Sequence, residues 1–345
     1  MQKSKIKVYL VFVLILFVGV LIFTLKDDFS EIIRNLLKVN ILWLILGIGF
    51  VFLSKYFIGI TTYALGIKEN NKISKNRMIQ IALIYPFFAG ITPSSVGGEA
   101  FEVFYLKQSG LSYGGSSSIQ MQKFILYLSS LLMVNLLAVI FNFFSGIVVD
   151  STFVGSTVTL NFIVNSILLG GCFLITYNRK VKDFILHKGV DILGKIKILK
   201  DPEKSRGKID EFLEKFDDGA TKLRRDKKLF WKLIVYNILS LVFLIIAAWP
   251  IARAMHVKNI SILNLFILAT YAKMMCLLVV TPGNSGAAEY CFIYLFTNLI
   301  SENDIMAYML IWRFVTYYIP LVVGGFIALH WGRRRSYEKV NSIES

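Results

Sequence analysis

Six stretches of this chain are apolar for about the length that a bilayer-spanning helix requires, and this decides what the chain can fold into. They run from Val8 to Leu25, Ile41 to Ile67, Ile119 to Val149, Val158 to Tyr177, Leu229 to Ala252 and Ile305 to Trp331. Within hydrocarbon every backbone amide and carbonyl must find a partner inside the protein, so runs of this kind predict helices. A soluble chain of 345 residues could not hide the surface of a sequence that is 56% hydrophobic and contains 28 Phe. The mean hydropathy of +0.63 agrees. The predicted fold class is an all-α polytopic membrane protein.

Charge sets the expected topology. The formal net charge is +16, from 38 Lys+Arg against 22 Asp+Glu. In a soluble protein this excess would point to nucleic acid, but most of these residues flank the apolar runs. Topology and anionic headgroups account for them, and no nucleic-acid partner is expected. Lys3, Lys5 and Lys7 precede the first run, which is long for a signal peptide and ends at Lys26-Asp27-Asp28 without a small-residue cleavage pattern. It is read as an uncleaved first span with the N-terminus in the cytoplasm. Phe29, Ile32, Ile33, Leu36 and Leu37 then predict an interfacial helix on the outer side. Lys68, Lys72, Lys75 and Arg77 mark a cytoplasmic loop, and Arg333-Arg334-Arg335 places the C-terminus inside as well. Cys172, Cys276 and Cys291 lie in apolar runs, and His187, His256 and His330 do not cluster with them. They read as ordinary packing residues, and no metal or cofactor is expected.

The chain divides as one membrane domain, 1–345. Residues 1–40 hold the first span and interfacial helix, 41–149 a first repeat, and 150–177 a connecting span. Residues 178–228 form a basic cytoplasmic loop, 229–335 a second repeat, and 336–345 a tail. In the loop, Ile209, Phe212, Leu213 and Phe216 predict a surface helix. A solvated connector is the plain reading of its charges, and contact with anionic headgroups is the functional one.

The repeats are visible as a motif that occurs twice. Thr92-Pro93-Ser94-Ser95-Val96-Gly97-Gly98-Glu99 returns as Thr281-Pro282-Gly283-Asn284-Ser285-Gly286-Ala287-Ala288-Glu289, with one residue inserted before the second glutamate. The same interval beyond each glutamate then reaches Lys123-Phe124-Ile125-Leu126-Tyr127 and Arg313-Phe314-Val315-Thr316-Tyr317. Pro93, Gly97 and Gly98 in one copy, and Pro282, Gly283 and Gly286 in the other, prevent a continuous helix. Each motif is therefore expected to break a pair of half-helices, as a re-entrant hairpin or two short crossings. Either count leaves the first break entered from the cytoplasm and the second from outside. The copies are then inverted in the membrane plane, which is how alternating-access transporters are built.

A half-helix beginning after Gly98 or Gly286 aims unpaired amides and a positive dipole end into the protein, a setting that attracts phosphate. Glu99 and Glu289 fall in those first turns. Lys123 and Arg313 could neutralise them or hold an anionic group themselves. Each such charge costs about 2.5–3.5 kcal/mol at the bilayer centre, so pairing or hydration is required. Two readings stand side by side. Glu99–Lys123 and Glu289–Arg313 are either ion pairs that pin helices, or the substrate site of a translocator. Lys273 either lines the cavity or snorkels, and Lys55 is expected to snorkel. Tyr127 and Tyr317 are read as packing residues with a hydroxyl partner, and Glu102 and Lys107 as interfacial.

At these motifs the sequence resembles the membrane domain of the lysylphosphatidylglycerol synthase family, the bacterial multiple peptide resistance factor and its flippase-like relatives. Pro93, Gly98, Glu99 and Lys123 match the family's early element. Pro282, Gly283, Gly286, Glu289 and Arg313 match the late one. Where the family carries an acidic–Arg pair after the first element, Gln122-Lys123 stands here. The resemblance implies a flippase in the bacterial cytoplasmic membrane that moves a phospholipid or lipid-linked substrate, with (lysyl-)phosphatidylglycerol the first expectation. The implied site is Glu99, Lys123, Lys273, Glu289 and Arg313, acting on anionic phospholipid in a setting of cationic-peptide (antibiotic) resistance. The alternative it implies is a phosphatidylglycerol lysyltransferase or its membrane subunit, working with a separate synthase or transferase. The soluble transferase domain of the full-length synthases has no counterpart between Met1 and Ser345, which favours the translocation half.

Overall fold

The computed structural model describes residues 39–344, except 91, 93–95, 149–150, 182, 185–187, 189–213, 215, 219, 258–259, 277–285, 298 and 301. The first span, the interfacial helix at Phe29–Leu37, Pro93, Pro282, Gly283, and Ile209, Phe212 and Leu213 of the loop lie outside the described residues.

No strand occurs among the described residues. The helices are α1 (Ile41–Glu69), α2 (Lys75–Gly90), α3 (Val96–Gln108), α4 (Tyr113–Ser145) and α5 (Thr152–Tyr177), then α6 (Lys227–Ile246) and α7 (Ala248–Ala254). After these come α8 (Ile262–Met275), α9 (Ala287–Phe296), α10 (Glu302–Arg313), a π-helical turn (Phe314–Tyr318) and α11 (Ile319–Glu344). Five segments are long and apolar enough to cross a membrane: α1, α4, α5, α6 with α7, and Asp304–Trp331. These match five of the six runs read from the sequence. The outward faces of α4 and α5 are apolar and unpartnered, with Phe143 at 84% and Ile167 at 68% exposure, as lipid-facing surfaces should be.

The order half-helix, break, half-helix, long helix occurs twice, as α2–α3–α4 and as α8–α9–α10/α11. The helices leading into the two units, α1 and α6, pack side by side, α2 packs on α3 and α11, and α4 lies against α5, α6 and α8. Two further spans separate α1 from α6 in sequence, so the units enter the bundle in opposite senses.

Several boundaries differ from the sequence reading, each for a local reason. Gly114 to Ser118, upstream of the apolar run that starts at Ile119, is the first part of α4. Ser112 caps it by accepting the Gly115 N–H at 3.0 Å. Ser116 and Ser118 are fully buried where small side chains permit close packing. Ser118 also donates to the Phe216 carbonyl at 2.9 Å. The turn lies just upstream, where Gly110 takes φ +99°, a value that favours glycine. Helix α5 likewise begins at Thr152 rather than Val158, because Ser151 caps the Val154 N–H. Pro250, near the end of the fifth run, sits inside α7, and the chain breaks at Ala247.

Broken helices leave carbonyls that must be satisfied from elsewhere. At the end of α8, buried Asn161 of α5 donates to the Met274 carbonyl at 3.0 Å. The Asn161 side-chain oxygen accepts from Asn135 at 3.1 Å and Asn165 at 3.0 Å. Asn161→Leu removes all three bonds and leaves buried partners bare, so thermal unfolding in detergent should show a loss of about 1–3 kcal/mol. A melting curve indistinguishable from wild type would show that water takes over these bonds.

Candidate functional site

The first break is closed by one hydroxyl. Thr92 Oγ1 donates to the Phe88 carbonyl at 2.8 Å and accepts the Gly97 N–H at 3.0 Å. It thus serves the last turn of α2 and the first turn of α3 together. Both glycines are required by contact. A Cβ on Gly97 would stand 2.4 Å from Thr92 Cγ2, and one on Gly98 would stand 2.7 Å from the Tyr85 ring.

Glu99 follows in the first turn of α3. Its partner is not Lys123. Tyr85 of α2 donates its hydroxyl to Glu99 Oε1 at 2.7 Å, while Oε2 is buried without a hydrogen-bond partner. Lys123 pairs instead with Glu102, one turn further along α3. Glu102 is therefore no interfacial residue, being only 3% exposed. The physical reason for both corrections is helix geometry. Glu99 and Glu102 share a face of α3, and α4 begins at Tyr113, so Lys123 is carried to the level of the second acid.

The second unit forms the expected pair. Gly286 holds φ +88°, its N–H donates to Glu289 Oε2 at 2.6 Å, and Glu289 Oε1 lies 2.8 Å from Arg313 Nε. Arg313 is 5% exposed and its guanidinium covers the Tyr317 ring at 4.5 Å. The π-helical turn begins just after Arg313. Pro320 lacks the N–H that the Thr316 carbonyl would accept and crowds that residue, and the Ile319 N–H reaches five residues back to the Phe314 carbonyl. The widened turn sets the angle at which Thr316 and Tyr317 face inward.

Two tyrosines that the repeat places in register tie the units together. Tyr317 donates to the Gly90 carbonyl at the end of α2, 3.3 Å away. Tyr127 presents its ring to Lys273 of α8, 5.6 Å from the ammonium. Lys273 does not snorkel. It lines a cavity of about 210 Å³ with Arg313, Thr316, Tyr317 and Cys276, walled by Ala272, Ala288 and Trp312. Lys55, expected to snorkel, lies within electrostatic reach of Lys273 instead. Among the described residues neither lysine has a carboxylate at ion-pair distance. The cavity thus concentrates positive charge beside the first turn of α9, and it suits an anionic group.

At the bundle end rich in Lys and Arg, Asp226 caps α6. The Leu229 N–H, and then Lys68 at 3.1 Å, hold its carboxyl below the usual range. Cys172, Cys276 and Cys291 are buried free thiols, as expected, with Cys276 and Cys291 close enough to hydrogen-bond. No group of three or more potential metal ligands occurs among the described residues.

Sequence reasoning missed Tyr85, Thr92's bridging role, Glu102 as the partner of Lys123, and the asparagine cluster. The asparagines carried a usable signal, since Asn161 and Asn165 stand one turn apart inside an apolar run. Tyr85 carried none.

A bundle of apolar spanning helices, with two broken-helix units meeting at buried charges, defines a polytopic α-helical membrane protein built on a repeat. The chain belongs to the family described as the lysylphosphatidylglycerol synthase TM region, which it matches over residues 8–324. It is also similar to a UPF0104 membrane protein of Archaeoglobus fulgidus, with 25% identity over 303 residues, covering 85% of this chain and 84% of that one.

Proposed function

We propose that this protein translocates an anionic phospholipid or lipid-linked substrate, seating the headgroup between Lys273 and Arg313. The observation that carries this reading is the cavity itself. It is lined by two cations, with a third, Lys55, nearby, and opens between elements of a broken-helix unit. The apolar wall of Ala272, Ala288 and Trp312 suits the adjoining glycerol. The inverted order of the two units supplies a means of exposing one site to either leaflet.

In this reading the termini and the basic 178–228 loop face the cytoplasm of a cell membrane, and the chain acts as one domain with the boundaries given above. Phosphatidylglycerol and its lysyl derivative are the substrates to try first, given the family. A separate synthase or transferase subunit would supply the lysyl lipid.

The test is translocation of labelled phosphatidylglycerol and lysyl-phosphatidylglycerol in proteoliposomes, with Lys273→Gln alongside wild type. Loss of one charged hydrogen bond predicts roughly ten- to hundredfold weaker headgroup binding in the variant, with folding retained. Equal transport by both proteins would remove the cavity from the pathway. Appearance of lysyl lipid on supplying lysyl-tRNA to the chain alone would instead favour a transferase.

A further inference from the structure

The first unit contains an acid that the second lacks, and that acid has taken the cation. With Glu99 aligned on Glu289 and Lys123 on Arg313, Glu102 falls opposite Phe292. Arg313 is therefore left to Glu289 in the second unit, while Lys123 is engaged by Glu102 in the first. Glu99 keeps only a neutral side-chain partner, the Tyr85 hydroxyl, and its second oxygen is buried without a hydrogen bond among the described residues.

The helices packed against α3 are α2 and α4. From α2 the titratable group facing Glu99 is Tyr85, and from α4 it is Lys123, with Tyr127 beyond Tyr85. From α3 itself come Glu102 and the Glu99 backbone N–H. Two carboxyls thus share one ammonium. If both were ionised, the group would carry a net negative charge with one oxygen stripped of water and of donors. With a proton on Glu99, the group is neutral, and the unmet need falls to a single uncharged hydroxyl. The helix dipole and one backbone N–H favour the ionised form, but they act at the first turn, where Oε2 remains bare.

We propose that Glu99 is a proton-binding site of this protein, holding a proton at neutral pH while Lys123 is paired with Glu102. Glu289 is instead held by Arg313 and the Gly286 N–H. The two units therefore differ in role. One holds an ion pair beside the cation-lined cavity, and the other binds a proton and so responds to pH. This assignment does not depend on which lipid is moved.

Infrared difference spectroscopy on the full chain in phosphatidylcholine nanodiscs tests it, comparing neutral with strongly alkaline buffer. Wild type should show the C=O stretch of a protonated carboxylic acid at neutral pH. Glu99→Gln should lose that band, and Glu289→Gln should keep it. Glutamine can still accept the Tyr85 hydrogen bond, so the fold is preserved. Tyr85→Phe supplies a second reading, because removing the bond to Oε1 should shift the band without abolishing it. Glu102→Gln should also lose it, since Lys123 is then free to pair with Glu99. The absence of the band in wild type, its persistence in Glu99→Gln, or its persistence in Glu102→Gln would each overturn the proposal.

Discussion

Arg313→Ala should abolish translocation and cost about 1–3 kcal/mol of stability, because it leaves the partly buried Glu289 without its counter-charge. A structural pin and a substrate ligand both predict the stability loss, so the single variant cannot separate them. The double variant Glu289→Gln/Arg313→Met can. Replacing a buried ion pair by neutral groups of similar volume is commonly near neutral for folding. Thermal unfolding in detergent should therefore recover most of what the single variant lost. Transport in proteoliposomes should stay absent, because the cavity has lost one of its two lining cations. If the double variant moves lipid at the wild-type rate, the pair is a pin and nothing more. Arg313→Lys should fall between. It keeps the charge but loses the planar fork and the stacking on Tyr317.

The parts of this architecture that were readable in the sequence are those with a period or a repeat. Five apolar runs became five spans, and two Pro/Gly-broken motifs became two interrupted helix pairs at the expected places. The pairing of Glu289 with Arg313 was readable for the same reason, since the Gly286 turn and an ordinary first helical turn fix both ends. The pairing of Lys123 was not. It depends on where α4 begins, and Ser112 decides that by capping a glycine- and serine-rich stretch ahead of the apolar run. A shift of a few residues along a helix changes which of two acids, one turn apart, a lysine on the next helix meets. Tyr85 escaped for a related reason. Its contact with Glu99 crosses the break, and nothing local to either residue encodes it.

The contacts between the units follow a pattern of their own. Each unit's in-register tyrosine reaches the opposite half-helix, Tyr317 to the end of α2 and Tyr127 to Lys273 on α8. The charges within each unit and the tyrosines between them therefore form one connected set. A change in packing between units reaches the cavity through Tyr317, which both lines it and holds Gly90.

That connection makes Gly324→Ala a damaging small change outside the charged site. Gly324 lies on α11, two turns beyond Tyr317, and a Cβ there would stand 2.6 Å from the Leu83 carbonyl oxygen and 3.1 Å from Phe87 Cβ on α2. The obstructing atom is backbone and cannot rotate aside, so the helices must separate. Small residues at such crossings are what lets membrane helices approach without a hydrophobic driving force between them. The expected loss is about 1–3 kcal/mol, toward the upper end, read as a lower midpoint in thermal unfolding. Gly171→Ala on α5 is the matched control, because nothing lies within 4 Å of its Cβ position. There the gain in helix propensity, about 1 kcal/mol in an exposed helix interior, should leave stability unchanged or slightly raised. Translocation should follow the same split. Wedging α11 from α2 lengthens the Tyr317–Gly90 contact and shifts one wall of the cavity, whereas Gly171 is remote from both. If the two variants unfold alike, the close crossing of α2 and α11 is not what holds the units together.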